Sequence, residues 1–190
     1  MWRSLNLQPE SQSAMADSLA WDEIITSPLQ RCRSFAEKLS DLTNLPVSVN
    51  ADWQEIDYGD WDGMSLSDWR HAAAEQFREF RRDLSALKPP NGESFIQFRD
   101  RVLSAWNRLA EFDHGSHLLV VTHGGVLRVV LPHVLGMPAN RSFPLHIPFA
   151  CYSRVQLEVE DAGQEEGDGK HRKLHASLVF HNGAEHGASF

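Results

Sequence analysis

The sequence predicts an α/β protein, a three-layer sandwich with helices on both faces of a mostly parallel sheet. Three observations carry that prediction. Short strand-like runs alternate with amphipathic segments of helical length, the order that builds parallel sheets. Two of those runs, Asp22–Thr26 and Leu118–Val121, pass at once into a helix start. The second is apolar at all four positions, as a strand covered on both faces should be.

Taken in order, Asp22-Glu-Ile-Ile-Thr26 is the first strand, and Ser27-Pro28 follows it. Ser at the N-cap with Pro at the first helical position is a start signal. The helix expected from Leu29 to Leu39 places Leu29, Cys32, Ala36 and Leu39 on one face. Val47–Val49 is a second short strand. A helical region runs from about Leu66 to Ala86 and is broken by Pro89-Pro-Asn-Gly92. Ser94–Glu111 reads as another helix, with Phe95, Phe98, Val102, Ala105, Trp106 and Leu109 on its apolar face. After Leu118–Val121, Thr122-His-Gly-Gly125 turns the chain into a helix over Val126–Leu135, kinked at Pro132 and ended by Gly136. Ser153–Val159 and Leu174–Phe180 alternate with period two and read as a final pair of strands extending the sheet. The Gly-rich, acidic stretch Asp161–Lys170 between them has almost nothing to bury and is expected to be a surface loop.

The 190 residues are expected to form one domain, since two would be small for separate cores. With 42% hydrophobic and 23% charged residues the chain falls outside the disordered and fibrous classes. No apolar run is long enough to span a bilayer, and the first residues lack the apolar core of a secretion signal, so no membrane partner is expected. Cys32 and Cys151 lie far apart, as free thiols would in a reducing compartment, and the cytoplasm is the expected location. A net charge of −8 disfavours nucleic acid as a partner. It leaves room for a small anion held by a few inward cations. His171 and His175 have a helical ligand spacing but enter a strand, where residues four apart are too distant to share a metal.

In open α/β sheets, ligands bind beyond the carboxyl ends of the strands. At the first switch, Thr26-Ser-Pro-Leu-Gln-Arg31, the helix start offers free N–H groups, and Arg31 adds a planar donor for phosphate or carboxylate. Whether Ser27 touches an anion or only caps its helix stays open. At the second, His123 stands at the end of a buried strand, before two glycines that permit close backbone approach. It could stabilise developing phosphoryl charge as a cation or carry a proton, its ordinary pKa being near 6.5. A third segment, Glu55-Ile-Asp-Tyr-Gly-Asp-Trp-Asp-Gly63, sets carboxylates among aromatics, where one of them could serve as a general acid. Spacing does not say whether that is Glu55, Asp57, Asp60 or Asp62.

These segments occur in the order Ser27-Pro-Leu-Gln-Arg-Cys32, Glu55–Gly63, Pro90-Asn-Gly-Glu-Ser94, Leu119-Val-Val-Thr-His-Gly-Gly-Val-Leu127 and Leu135-Gly-Met-Pro-Ala139. Together they resemble the histidine phosphatase superfamily, with its phosphoglycerate-mutase-like fold, over roughly Leu5 to Val159. Within it they look most like the alpha-ribazole phosphatases, which dephosphorylate alpha-ribazole 5′-phosphate in cobalamin synthesis. The resemblance implies a phosphomonoester hydrolase with Glu55 and His123 as catalytic residues. Glu55 would be the general acid, and His123 would donate a hydrogen bond to the phosphoryl oxygens. Arg31, Gly124 and Ser27 would bind the phosphate. No metal and no cofactor are implied, the partner would be a small phosphorylated metabolite, and a homodimer is compatible.

One departure accompanies the matches. The family opens with an apolar strand ending in Arg-His-Gly, whose His is the nucleophile, and no Arg-His-Gly occurs in this sequence. Leu5–Ala16 looks like the segment that follows that motif, so the chain is expected to begin inside the family's domain and to lack its first strand. The resemblance therefore implies a site without its nucleophile, inactive as given. The alternatives are a phosphometabolite-binding protein of the same fold and a related enzyme for another small phosphorylated substrate.

Overall fold

A computed structural model describes residues 21–72, 74–138, 144–161 and 172–182. The segment Leu5–Ala16, the loop over 162–170, and His171 and His186 lie outside these residues.

The elements are β1 (Glu23–Thr26), α1 (Gln30–Thr43), β2 (Val47–Val49), α2 (Leu66–Ala72), α3 (Ala74–Arg82), α4 (Phe95–Asn107), β3 (Leu118–Val121), α5 (Gly124–Val134), β4 (Ser153–Asp161) and β5 (Arg172–His181). Short 3-10 turns lie at Ala51–Trp53, Gly59–Trp61, Leu84–Ala86 and Arg108–Glu111. β1 is the middle strand of a parallel sheet ordered β2-β1-β3, with Thr26 opposite Val49 on one side and Val121 on the other.

Alternation along these strands builds the layers. Ile24, Leu119 and Val121 face α1 and pack with Cys32, Ala36 and Leu39. Ile25 points the other way, into a larger core with Trp53, Phe98, Val102, Trp106 and Val126, against which Leu118 and Val120 pack. Ile24, Leu39, Val102 and Val126 are fully buried, and each such side chain stabilises the fold by roughly 1.5–3 kcal/mol.

Several boundaries differ from the sequence reading. Helix α1 begins at Gln30 with Leu29 as its N-cap, so Ser27 does not cap it, and Pro28 precedes the helix. It continues past Leu39 to Thr43 and stops where Asn44 turns left-handed (φ 57°). Helix α4 is shorter than the periodicity suggested. Ser94 and Gln97 close a capping box at its start, and after Asn107 the chain tightens into a 3-10 turn. Helix α5 starts two residues early, directly after His123, and carries Pro132 in its last turn.

The largest difference concerns β4 and β5. They pair antiparallel in a sheet of their own and, among the described residues, do not extend the parallel one. Their inward residues Val155, Leu157, Leu174 and Ala176 pack on the larger core instead. Period-two alternation identifies a strand with one covered face, but it carries no information about which sheet that strand joins.

Candidate active site

The parallel register brings the two strand-to-helix switches side by side. Thr26 pairs with Val121, and the ladder runs one step further as the Ser27 N–H donates to the Val121 carbonyl (3.0 Å). Ser27 is wholly buried and His123 is 6% exposed, while Arg31 stands in the first turn of α1 with its side chain exposed.

Arg31 Nε donates to His123 Nδ1 at 3.1 Å. Nδ1 is therefore an acceptor, and the ring proton sits on Nε2, which donates to Ser27 Oγ at 2.7 Å. The same oxygen accepts from the Leu29 N–H (3.3 Å), so Ser27 links the loop to the histidine instead of capping a helix. Burial, then the charges of Arg31 and Arg101, push the His123 pKa down to about 4. The ring is thus neutral at physiological pH in the free site, in contrast to the cationic stabiliser that its ordinary pKa allows. An arriving dianion would reverse part of that shift. Cys32 lies 3.5 Å from Nε2 and directs its thiol at the Thr122 carbonyl (3.3 Å). Its pKa is raised to about 11, chiefly by burial, so it remains a thiol.

Of the four carboxylates in the 55–63 segment, Glu55 is the one turned inward. Its Oε2 accepts from the Gly125 N–H (3.0 Å) and its Oε1 from the Ile56 N–H (3.1 Å). Asp57 closes a turn onto the Gly59 N–H (2.8 Å), Asp60 accepts from Asn91 Nδ2 (3.1 Å), and Asp62 is exposed. The two glycines after His123 differ in kind. A Cβ on Gly125 would stand 2.0 Å from Glu55 Oε1, whereas one on Gly124 would meet only Ile147 Cγ2, at 3.9 Å. Close approach is required at Gly125. At Gly124 a side chain would make no more than ordinary contact with the loop over 144–150.

The chain before Glu55 is anchored from several sides. Trp53 is buried, Asn50 caps the 3-10 turn that carries it, and Thr122 Oγ1 donates to the Trp53 carbonyl (2.7 Å). Beyond Glu55 the segment docks on Pro90–Glu93. A Cβ on Gly59 would come within 2.2 Å of the Pro90 carbonyl, and one on Gly92 within 2.5 Å of the Asp57 carbonyl. The burial of Tyr58, with Glu55 nearby, pushes its pKa up to about 12. Its hydroxyl keeps its proton beside the carboxylate.

Three contributors escaped the sequence reading: Gly125 as distinct from Gly124, and the pair Arg101 and Glu93. An Arg next to Val102 in the apolar stripe of α4, eight residues after a Glu, is the signal that could have revealed the pair. Four of the other described histidines have partners of their own. His71 Nδ1 lies 2.6 Å from the Ser67 carbonyl, His133 stacks edge-on against Trp106, His175 pairs with Glu160, and His181 bridges Ser153 and the His146 carbonyl. Among the described residues no three His, Cys, Asp or Glu side chains gather as a metal set would need, and no helix is long and apolar enough to cross a membrane.

Comparison with known proteins identifies the family to which this fold belongs. The family model of the histidine phosphatase superfamily (branch 1) matches residues 10–165. The adenosylcobalamin/alpha-ribazole phosphatase of Escherichia coli K12 is 29% identical over 155 residues, covering 82% of this chain and 76% of that protein. A glucosyl-3-phosphoglycerate phosphatase of Mycolicibacterium vanbaalenii is 31% identical over 174 residues, covering 86% and 75%. The crystal structure of the alpha-ribazole phosphatase from Shigella flexneri superimposes with a TM-score of 0.72 at 26% identity, covering 94% of this chain and 82% of that one. The fold is the phosphoglycerate-mutase-like one, and the chain belongs to the histidine phosphatase superfamily.

Proposed function

We propose that the cleft at the ends of β1 and β3 binds the phosphoryl group of a small phosphomonoester, and that its phosphate donors and its acid are those of a phosphoric monoester hydrolase. The observation that carries this reading is the convergence of Arg31, Ser27 and His123 on two adjacent strand ends, with Glu55 held on Gly125 beside them. Among the described residues Arg31 spends only its Nε, on His123, which leaves its two terminal nitrogens for a bidentate grip on phosphoryl oxygens. The His123 Nε2–H, now on Ser27, turns to a phosphoryl oxygen, and the Gly124 N–H at the start of α5 adds a second donor. Glu55 is placed to give its proton to the leaving alcohol oxygen when a nucleophile attacks phosphorus, a role that contributes roughly 10²–10⁴-fold in rate where it operates.

The likeness to the Escherichia coli phosphatase supports alpha-ribazole 5′-phosphate as the substrate type. The mycobacterial relative's name favours a second reading, a phosphorylated glyceric acid derivative. Neither the sequence, which has no Arg-His-Gly, nor the described cleft supplies a histidine nucleophile. We therefore infer that these 190 residues alone bind the phosphomonoester without turning it over. The net charge of −8 argues for a metabolite over nucleic acid, and the free cysteines fit the cytoplasm.

Calorimetry with alpha-ribazole 5′-phosphate and with inorganic phosphate, beside a phosphate-release assay, tests both statements. Binding should occur and should weaken roughly 10–100-fold in Arg31→Ala, the loss of about 1.5–3 kcal/mol of charge-assisted bonding. Failure to bind either ligand would overturn the site reading. Phosphate release that disappears in His123→Ala would overturn the claim of binding without turnover.

A further inference from the structure

Arg101, on α4, points into the layer behind Glu55. A guanidinium has five N–H groups, and here all five find acceptors. Nε and Nη2 grip the two oxygens of Glu93, each at 2.7 Å. Nη1 donates to the carbonyls of Asp52 (3.0 Å) and Gln54 (2.8 Å), and the second Nη2 hydrogen to that of Glu55 itself (3.1 Å). The ion pair is largely buried, with 22% and 17% of the two side chains exposed, and the guanidinium carbon lies 4.9 Å from the Phe98 ring centre. Three carbonyls within four residues, converging on one fully used cation, fix the backbone that ends in Glu55. A lysine could keep the charge but not the fork.

We propose that Arg101, oriented by Glu93, is a positioning residue for Glu55: its fork holds the Asp52–Glu55 backbone so that the carboxylate reaches the Gly125 amide. The inference rests on Glu55 having the role given it above, but its geometry is measurable without catalysis. The same guanidinium also acts on His123. Among the described residues, the charged and titratable groups around that ring are Arg31 and Cys32 on α1 and Arg101 on α4, with Glu55 within electrostatic range of Cys32.

The experiment uses the whole 190-residue protein, isotopically labelled, as wild type, Arg101→Lys, Arg101→Gln and Glu93→Gln. Arg99→Gln, an arginine two residues away whose side chain is 40% exposed, is the control. Hydrogen exchange should quicken at least tenfold at the Gly125 amide in Arg101→Lys. The Leu127 amide, bonded within α5 to the His123 carbonyl, should keep its wild-type rate. The His123 titration should move up in Arg101→Gln, which removes a cation, and down in Glu93→Gln, which leaves that cation without its counter-charge. A merely structural loss would quicken both amides together and move both titrations up, toward an unburied histidine. An unchanged Gly125 amide in folded Arg101→Lys would overturn the inference, and so would titration shifts of the same sign. Inorganic phosphate titrated into the wild type separates the two readings, since lack of binding there counts against the proposed function, and the Gly125 amide and the His123 titrations decide this one.

Discussion

The two halves of the cleft are held in place by different means. Ser27, Arg31 and His123 follow from secondary structure. Each stands within five residues of a strand end, and the strands are locked in register by the ladder between β1 and β3. Glu55 lies outside any strand or helix. Its place depends on a buried Trp53, on a glycine that makes room, and on side chains of α4 and the β3 end reaching its backbone carbonyls. The strand-end half is thus as stable as the sheet, whereas the carboxylate half is only as secure as a few tertiary contacts.

The sharpest way to break that contrast is to cut the loop's apolar anchor. Trp53→Ala should cost about 3–5 kcal/mol in urea unfolding. If the halves are separately held, the folded fraction should still show the Arg31–His123 contact, read from the His123 ring resonances. Next in size is an acid effect confined to the strand-end half. The His123 pKa is about 4 in the folded chain and about 6.5 when unfolded. As pH falls below about 6.5 the unfolded chain takes up a proton that the folded one refuses. Stability therefore declines until the folded midpoint is reached, and above neutrality the group contributes no pH dependence. Between about pH 7 and about pH 5 the wild type should lose roughly 2 kcal/mol more than His123→Gln in paired denaturant curves. Smallest is the glycine pair. Gly125→Ala should destabilise by about 1–3 kcal/mol through overpacking against Glu55, while Gly124→Ala should stay within roughly 0.5 kcal/mol. Equal effects in thermal melts would mean that the carboxylate is not seated on Gly125.

The contrast also explains what could be read before the structure. Apolar runs and helix signals located β1, β3 and the helices after them, and so put Arg31 and His123 at strand ends that face a common site. Which of four carboxylates faces inward was not readable from spacing, because Glu55, Asp57, Asp60 and Asp62 share one polar, Gly-rich segment and differ only in what packs on them. The resemblance singled out Glu55, and the structure shows it turned toward Gly125. The error over Ser27 has a related cause. Ser-Pro is a good local start signal, but the Ser27 hydroxyl accepts a hydrogen bond from His123, 96 positions away, and the helix begins three residues later. The separate β4–β5 sheet went unforeseen because pairing partners are chosen by tertiary packing.

The ladder that sets Thr26 opposite Val121 has a consequence for what the cleft admits. The turns bearing Ser27 and His123 leave the sheet from points one interstrand step apart, a distance of about 4.8 Å set by backbone hydrogen bonds. Side chains can be exchanged and loops lengthened without altering that step. The sheet therefore serves as a fixed caliper, and the oxyanion proposed for this cleft would meet a gap set by the backbone alone. Diversity among chains built this way should then fall on the walls above the gap, and the gap itself should stay the same width.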